Sequence, residues 1–392
     1  MLQGLRVLDL TTSVAGPYAA QLLGDFGATV LKVEKPRGGD DARHWGPPFL
    51  NGASLWYLSV NRNKHSLTLD IARPQGRDVL MQLLEQTDVL ILNMTPRVQT
   101  KLGLDHARLA EQFPTLIHAS LTGFGPSGRR ADLPCYDLIA EGHSGVMDLT
   151  GEAGGDAQKI GTPAADLLAG QDVAMAVLAA LHERHRTGRG TRIDVSMQAS
   201  MTRFLAPRLV AYMGSGERPT RSGGKDSVIA IYQVFETADV PLALGLGNDA
   251  IWARFWQAVG DPDFAARPEY AGNTRRREHR AAIVARIAEV LVTRTRDAWL
   301  TLFAQHRIPA GPINRADEVV ADPDLNEQHF FYSADTPRGE VPLVGLGIEI
   351  AGQPHVHRKS PPELGEDTQE VLGQWLHLSQ AEVEALRQAE II

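Results

Sequence analysis

Strand-like and helix-like stretches take turns along the first half of the chain. Arg6 to Leu10 is a short apolar run, Gly16-Pro17 punctuates the start of a helix reaching about Phe26, and Thr29 to Glu34 is β-branched enough for a buried strand. Ser66 to Asp70, Val89 to Asn93 and Leu116 to Leu121 read as further strands, with helical patterns over Gly76 to Thr87 and Asp105 to Gln112 between them. Such alternation predicts crossover units and a mostly parallel sheet. Leu167 to Arg184 predicts the longest helix, closed by basic residues before Gly188, and Arg192 to Ser196 the next strand. Composition loosens from Met213 to Asp226. Beyond it, Ile229 to Phe235 and Leu242 to Leu246 read as strands, and Ala250 to Val259 and Arg277 to Val292 as amphipathic helices. Val341 to Ile350 and Gln369 to Leu376 supply a last strand and helix. The expected fold class is α/β: a large Rossmann-like domain with a parallel sheet, built from residues 1–212 and 326–392, plus a smaller α+β domain over 225–315, with linkers at 213–224 and 316–325.

Ligands of such sheets lie beyond the carboxyl ends of the strands, which singles out Thr11 to Ala15, Lys35 to Asp40, Asp70 to Ala72 and Asn93 to Arg97. Gly38-Gly39-Asp40 lacks the spaced third glycine of a dinucleotide fingerprint, and no Walker lysine follows a glycine loop. Lys and Arg number 39 against 47 Asp and Glu, a net charge of −8 with no long basic block, so neither nucleic acid nor a membrane surface is an expected partner. Cys135 is the only cysteine, which excludes an intramolecular disulfide and a Cys-rich metal site. Met1 to Leu10 has no signal-peptide h-region, and no uninterrupted apolar run reaches the roughly 20 residues of a membrane span, so the expected location is cytoplasmic.

Asp166 ends the segment Thr162-Pro163-Ala164-Ala165-Asp166 that leads into the long apolar helix. An aspartate there suits a helix cap, and equally a carboxylate nucleophile kept ionised by backbone donors and the helix dipole. Asp172 on the same helix reads as a solvated or paired surface charge. Thr162 to Gly170 resembles the nucleophile motif of the class III CoA transferases, the family of formyl-CoA:oxalate and carnitine CoA transferases. Val7-Leu8-Asp9-Leu10-Thr11 with Ala15-Gly16-Pro17 is similar to that family's first strand and helix start. Gly27 to Lys35, Gly38-Gly39-Asp40, Thr187-Gly188-Arg189-Gly190, Ile308 to Pro312 and Leu364 to Thr368 resemble its later segments in order.

The resemblance implies an interlocked homodimer that moves CoA from an acyl-CoA to a free carboxylic acid acceptor. Asp166 would form first an acyl anhydride and then a CoA thioester, with no permanently bound cofactor and no metal; coenzyme A enters as part of the substrate. Carried over by position, it places coenzyme A along Val14, Ala15, Lys35, Leu69, Asp70, Ile71, Ala72, Asn93, Met94, Thr95, Lys101, Pro134, Cys135, Tyr136 and Asp137. Lys35 and Lys101 would meet phosphates. Oxyanion donors would be backbone N–H groups near glycines. Val14 and Arg97 depart from formyl-CoA transferase, which has a glutamine and a glycine there.

Two alternatives stay open: an α-methylacyl-CoA racemase-like isomerase and a non-catalytic CoA-binding homologue. The racemases place a His-Asp pair where this chain has Tyr136-Asp137, which removes half of their proton-transfer machinery; His143 reads as an ordinary polar helix residue. In the small domain, Trp252, Phe255 and Trp256 at helical spacing are expected in the core, and Arg275, Arg276 and Arg277 as a solvated helix start.

Overall fold

A computed structural model describes residues 1–350 and 358–392; residues 351–357 of the expected 326–392 segment lie outside the described residues. The chain folds as two compact units, one from Met1–Met147, Lys159–Glu217 and Pro323–Ile392, the other from Asp148–Gln158 and Arg218–Asp322.

In the first unit, β1 (Arg6–Leu10), β2 (Thr29–Glu34), β3 (Lys64–Thr68), β4 (Val89–Leu92), β5 (Ile117–Thr122) and β6 (Arg192–Ser196) form one parallel sheet in the order β3-β2-β1-β4-β5-β6. That is the order of the doubly wound nucleotide-binding fold, in which winding reverses between β1 and β4 and opens a crevice past their carboxyl ends. Among the helices that run between these strands are α1 (Ala15–Asp25), α2 (Pro74–Glu85), α3 (Asp137–Ser144) and α4 (Ala164–Thr187). Val7, Leu8, Val30, Leu31, Val89 and Leu90 are fully buried, so the central strands have no solvent face.

α4 is long and apolar enough to cross a membrane. Here its small residues Ala165, Ala169, Gly170, Val173 and Val177 are buried, and it packs on α1 and β5. Gly170 makes that packing close: a Cβ there would stand 2.5 Å from the Ala15 carbonyl oxygen. Two helices follow β6, α5 (Met197–Phe204) and α6 (Ala206–Ser215); none of the residues of α6 is buried.

The tail closes the β3 edge. Asp367 accepts from Ser66 N at 2.8 Å, Thr368 Oγ1 from Thr68 N at 3.2 Å, and Lys359 O from Asn63 N at 2.8 Å. Helices Thr368–Leu376 and Gln380–Gln388 then add Val371, Leu372, Trp375 and Val383 to the core of Leu67, Leu80 and Leu83.

The second unit pairs Leu242–Gly245 antiparallel with both Tyr232–Phe235 and Ala310–Pro312. Trp252, Phe255 and Trp256 are buried in its core with Phe264, Trp299 and Phe303, as the helical spacing predicts.

Several expected elements are corrected. β3 starts at Lys64 rather than Ser66 because the Lys64 side chain is itself buried. The strand expected over Val341 to Ile350 is Gly339–Val344, half of a hairpin with the unforeseen strand Phe331–Thr336. The helix expected over Arg277 to Val292 is two, Gly272–Glu278 and Arg280–Leu291. Arg280 is drawn onto the carbonyls of Ala230 and Ile229, at 2.6 and 2.7 Å. Arg276, expected to be solvated, is buried, pairs with Asp249 at 2.7 Å and lies over the Trp252 ring. The expected linker at 213–224 begins inside α6, and Asp148–Gln158 belongs with the second unit.

Candidate active site

A buried ion network shapes the loop after β1. Lys32 and Lys64 are each wholly shielded from solvent. Lys64 Nζ meets Asp9 at 3.0 Å, the Pro17 carbonyl at 2.7 Å and Asn61 at 2.8 Å; Lys32 Nζ meets the Thr11 carbonyl at 2.8 Å and Asp40 at 2.9 Å. Burial lowers the Lys64 ammonium to about 8 although Asp9 opposes the fall. Burial also pushes on Asp9, but Lys64, Lys32 and the Thr11 hydroxyl outweigh it and hold that carboxyl low. Asp40 in turn accepts from Ser13 N at 2.9 Å, and Ser13 sits at φ 72°, a left-handed backbone uncommon for a side-chain-bearing residue. The Thr11–Ala15 turn is thus pinned from beneath. From the side, Asn93 exchanges two hydrogen bonds with Thr12, at 2.9 and 3.2 Å, tying the loop after β4 to the loop after β1 across the crevice.

Asp166 stands at the opening turn of α4, but it is not the cap the sequence suggests. The helix starts at Ala164, and Pro163 at the cap position offers no side-chain bond. Asp137, the first residue of α3, supplies the cap from outside: its Oδ1 accepts from Ala165 N at 2.8 Å and Asp166 N at 3.3 Å. The Asp166 carboxylate is half-buried, and no described residue donates to it or pairs with it. Burial, then the neighbouring Asp137 charge, push its pKa up to about 7. Burial, then Asp166 and Asp137, push the Cys135 thiol up to about 11, so it stays protonated and is a poor nucleophile.

Oxyanion donors are not on offer at the start of α4. Ala164 N and Leu167 N bond the carbonyls of Thr162 and Pro163, and Ala165 N and Asp166 N are taken by Asp137.

The structure gathers some of the expected site residues and spreads others. Val14 and Ala15 are buried at the start of α1, and Gly170 contacts Ala15 one turn beyond Asp166. Cys135 packs on Gly123 just past β5, where an added Cβ would lie 2.1 Å from its own. Met94, Thr95 and Pro134 lie on the loops after β4 and β5, and Tyr136 is exposed at the start of α3. Lys35, exposed after β2, bonds Asp41 at 3.0 Å, and Lys101 is exposed in the last turn of the helix Pro96–Leu102. Leu69 puts its side chain into the core, while Asp70 N is bonded by Ile391 O and Ala72 N by Asp70 Oδ1. With Ile71 N bonded to Leu69 O, Arg73 N to Asp70 O and the Arg77 side chain to Ala72 O, most backbone groups of that segment are already engaged. Asp172 is paired with Arg203 and Ser200.

The profile of CoA-transferase family III matches residues 2–368, nearly the whole of the chain that carries this site. The chain belongs to that family. It is 37% identical over 381 residues, 95% of each chain, to succinate–glutarate CoA-transferase of Agrobacterium fabrum. It is 32% identical to acetyl-CoA:oxalate CoA-transferase of Acetobacter aceti, covering 93% of this chain and 92% of that one. The crystal structure of a CAIB/BAIF family protein from Brucella suis superposes with a TM-score of 0.83 at 35% identity, covering 95% of this chain and 99% of that chain. CoA-transferase activity, acting on CoA thioesters and carboxylates, follows from this membership.

Sequence reasoning did not single out the buried Glu141 on α3, nor the buried roles of Lys32 and Lys64. Only an acid four residues after Asp137 on a helix face, and a lysine inside a strand pattern, could have hinted at them.

Proposed function

We propose that this enzyme moves CoA between two carboxylic acids, at least one a dicarboxylic acid, through covalent adducts on Asp166. The observation that carries the reading is the Asp166 carboxylate itself: half-buried, without a partner among the described residues, and beside another carboxylate. An unpaired acid in such surroundings is poorly stabilised as an anion and gains by bonding to carbon.

An Asp166 oxygen attacks the thioester carbonyl, the C–S bond breaks, and the CoA thiolate departs from a mixed anhydride. The thiolate then attacks the aspartyl carbonyl of that anhydride and the first acid leaves as its carboxylate. The resulting aspartyl-CoA thioester is attacked by the acceptor carboxylate, and the returning thiolate takes the acceptor's acyl group and frees Asp166. Each step exchanges one acyl bond for another, so no external energy source enters.

Coenzyme A is placed over the crevice formed by Val14-Ala15, Asn93 to Thr95 and Pro134 to Asp137, with Lys35, Lys101 and Leu69 to Ala72 reached by its anionic end. The dicarboxylic acid is supported by the names of relatives: succinate–glutarate, acetyl-CoA:oxalate and succinyl-CoA:mesaconate CoA-transferases. A second copy of the chain completes the protein, supported by α6, where Val210 and Met213 are 62% and 73% exposed and nothing in the described chain buries the helix. Within the proposed dimer, the first unit binds CoA.

The test is exchange between succinyl-CoA and free glutarate, oxalate and monocarboxylates. Wild type is expected to transfer and Asp166→Ala to lose transfer, while hydroxylamine and mass spectrometry trap the adduct on Asp166 under turnover. Turnover by Asp166→Ala sinks the proposal. Solvent deuterium entering the α-carbon without an acceptor acid points to the isomerase.

A further inference from the structure

Glu141 is fully buried on α3, one helical turn beyond Asp137 and on the same face. Its Oε2 accepts from Ile160 N at 2.9 Å, while Oε1 has no hydrogen-bond partner among the described residues. Asp137 spends Oδ1 on the N–H groups of Ala165 and Asp166, and no described donor reaches its Oδ2. Two neighbouring acids, each with one oxygen lacking a donor, are both satisfied by a single proton.

We propose that Glu141 is a positioning residue, holding a proton on Oε1 and donating it to Asp137 Oδ2, so that the carboxylate capping α4 keeps its place and its charge beside Asp166 is moderated. A fully buried acid next to the half-buried Asp137 cannot ionise at low cost while Asp137 is charged, and the buried one retains its proton. Burial, and then the Asp137 charge against the opposing Ile160 N–H, raise the Glu141 pKa above the usual carboxylate range. The charged groups that act on it are Asp137 on α3, which raises it, and Lys159 on the connecting loop, which opposes the rise; on the helices packed against α3, Asp166 of α4 faces Asp137 and Arg203 of α5 is engaged with Asp172. No described cation pairs with Glu141.

The inference rests on Asp166 being the nucleophile, whose ionisation then sets the acid limb of kcat against pH. In Glu141→Gln the amide can make the same two bonds, so the acid limb is expected to stay where it is in wild type. In Glu141→Leu the donor is gone, Asp137 presents its full charge, and the limb should move up by about one pH unit. Should the leucine variant fail to fold, the glutamine variant and a second measurement decide. The infrared difference between wild type and Glu141→Gln at pH 7 should contain the carbonyl stretch of a protonated carboxylic acid. That spectrum is recorded without substrate, so its failure is separate from any failure of the covalent mechanism. A limb that falls to lower pH in Glu141→Gln means an ionised Glu141 and overturns the proposal. An unmoved limb in a folded Glu141→Leu, or a missing infrared band, does the same.

Discussion

Burying Asp166, and placing it beside Asp137, makes its ionised form costly to the folded protein, which sets an expected dependence of stability on pH. The folded pKa of about 7 lies above the ordinary 3.8, so the folded state binds this proton more tightly than the unfolded chain. The stability this proton gives is full below about pH 4 and is lost as pH rises through 7. Asp166→Asn should therefore be more stable than wild type at pH 8, by roughly 2 kcal/mol after allowance for partial solvent access, and the gap should close toward pH 5. Melting temperatures at the two pH values check it, and the same variant should show no transfer. The place of Asp166 at the head of the long helix was legible in the sequence. What caps that helix was not, because the cap comes from Asp137, 28 residues before Ala165, and a contact at that range leaves no local pattern. Lys32 and Lys64 were hidden for a related reason: a lysine inside a strand reads as solvent-facing until a buried acid such as Asp9 is known to meet it.

At the level of elements, the seam between α1 and α4 sets where Asp166 lies relative to the loop after β1. Gly170→Ala adds a Cβ 2.5 Å from the Ala15 carbonyl oxygen, so one helix must shift. The expected result is a loss of about 1–3 kcal/mol, read from urea midpoints, with kcat falling more steeply than stability alone explains. Strand and helix alternation made the parallel sheet readable, because buried strands such as Val89–Leu92 are apolar throughout. The hairpin Phe331–Thr336 with Gly339–Val344 was only half visible: with just Ala334 buried in its first strand, periodicity has little to register. The helix break at His279 was invisible for another reason, since Arg276 and Arg280 are anchored to different partners by tertiary contacts.

Over the whole molecule, the first unit is drawn from three separated stretches, and the last holds its sheet edge shut. A chain ended after Glu366 loses Asp367 from Ser66 and His65, and Val371, Leu372 and Trp375 from the core. It should fail to give a folded, monodisperse protein by circular dichroism and gel filtration. Ser379→Ala, which removes the helix cap on Glu382 N and the hydroxyl's bond to the Glu382 carboxylate, should cost about 1 kcal/mol and leave the fold intact. The −8 net charge makes the anionic end of CoA depend on local cations, so composition said little about where it would bind. The tie between Ser66 and Asp367 spans 301 positions, which matters during synthesis. A ribosome that has delivered β3 has most of the polypeptide still to make before the acid that covers it emerges. Throughout that interval the newborn sheet offers its bare amide row to any neighbouring strand, so its yield in a cell should depend on holding chaperones more than its final stability suggests.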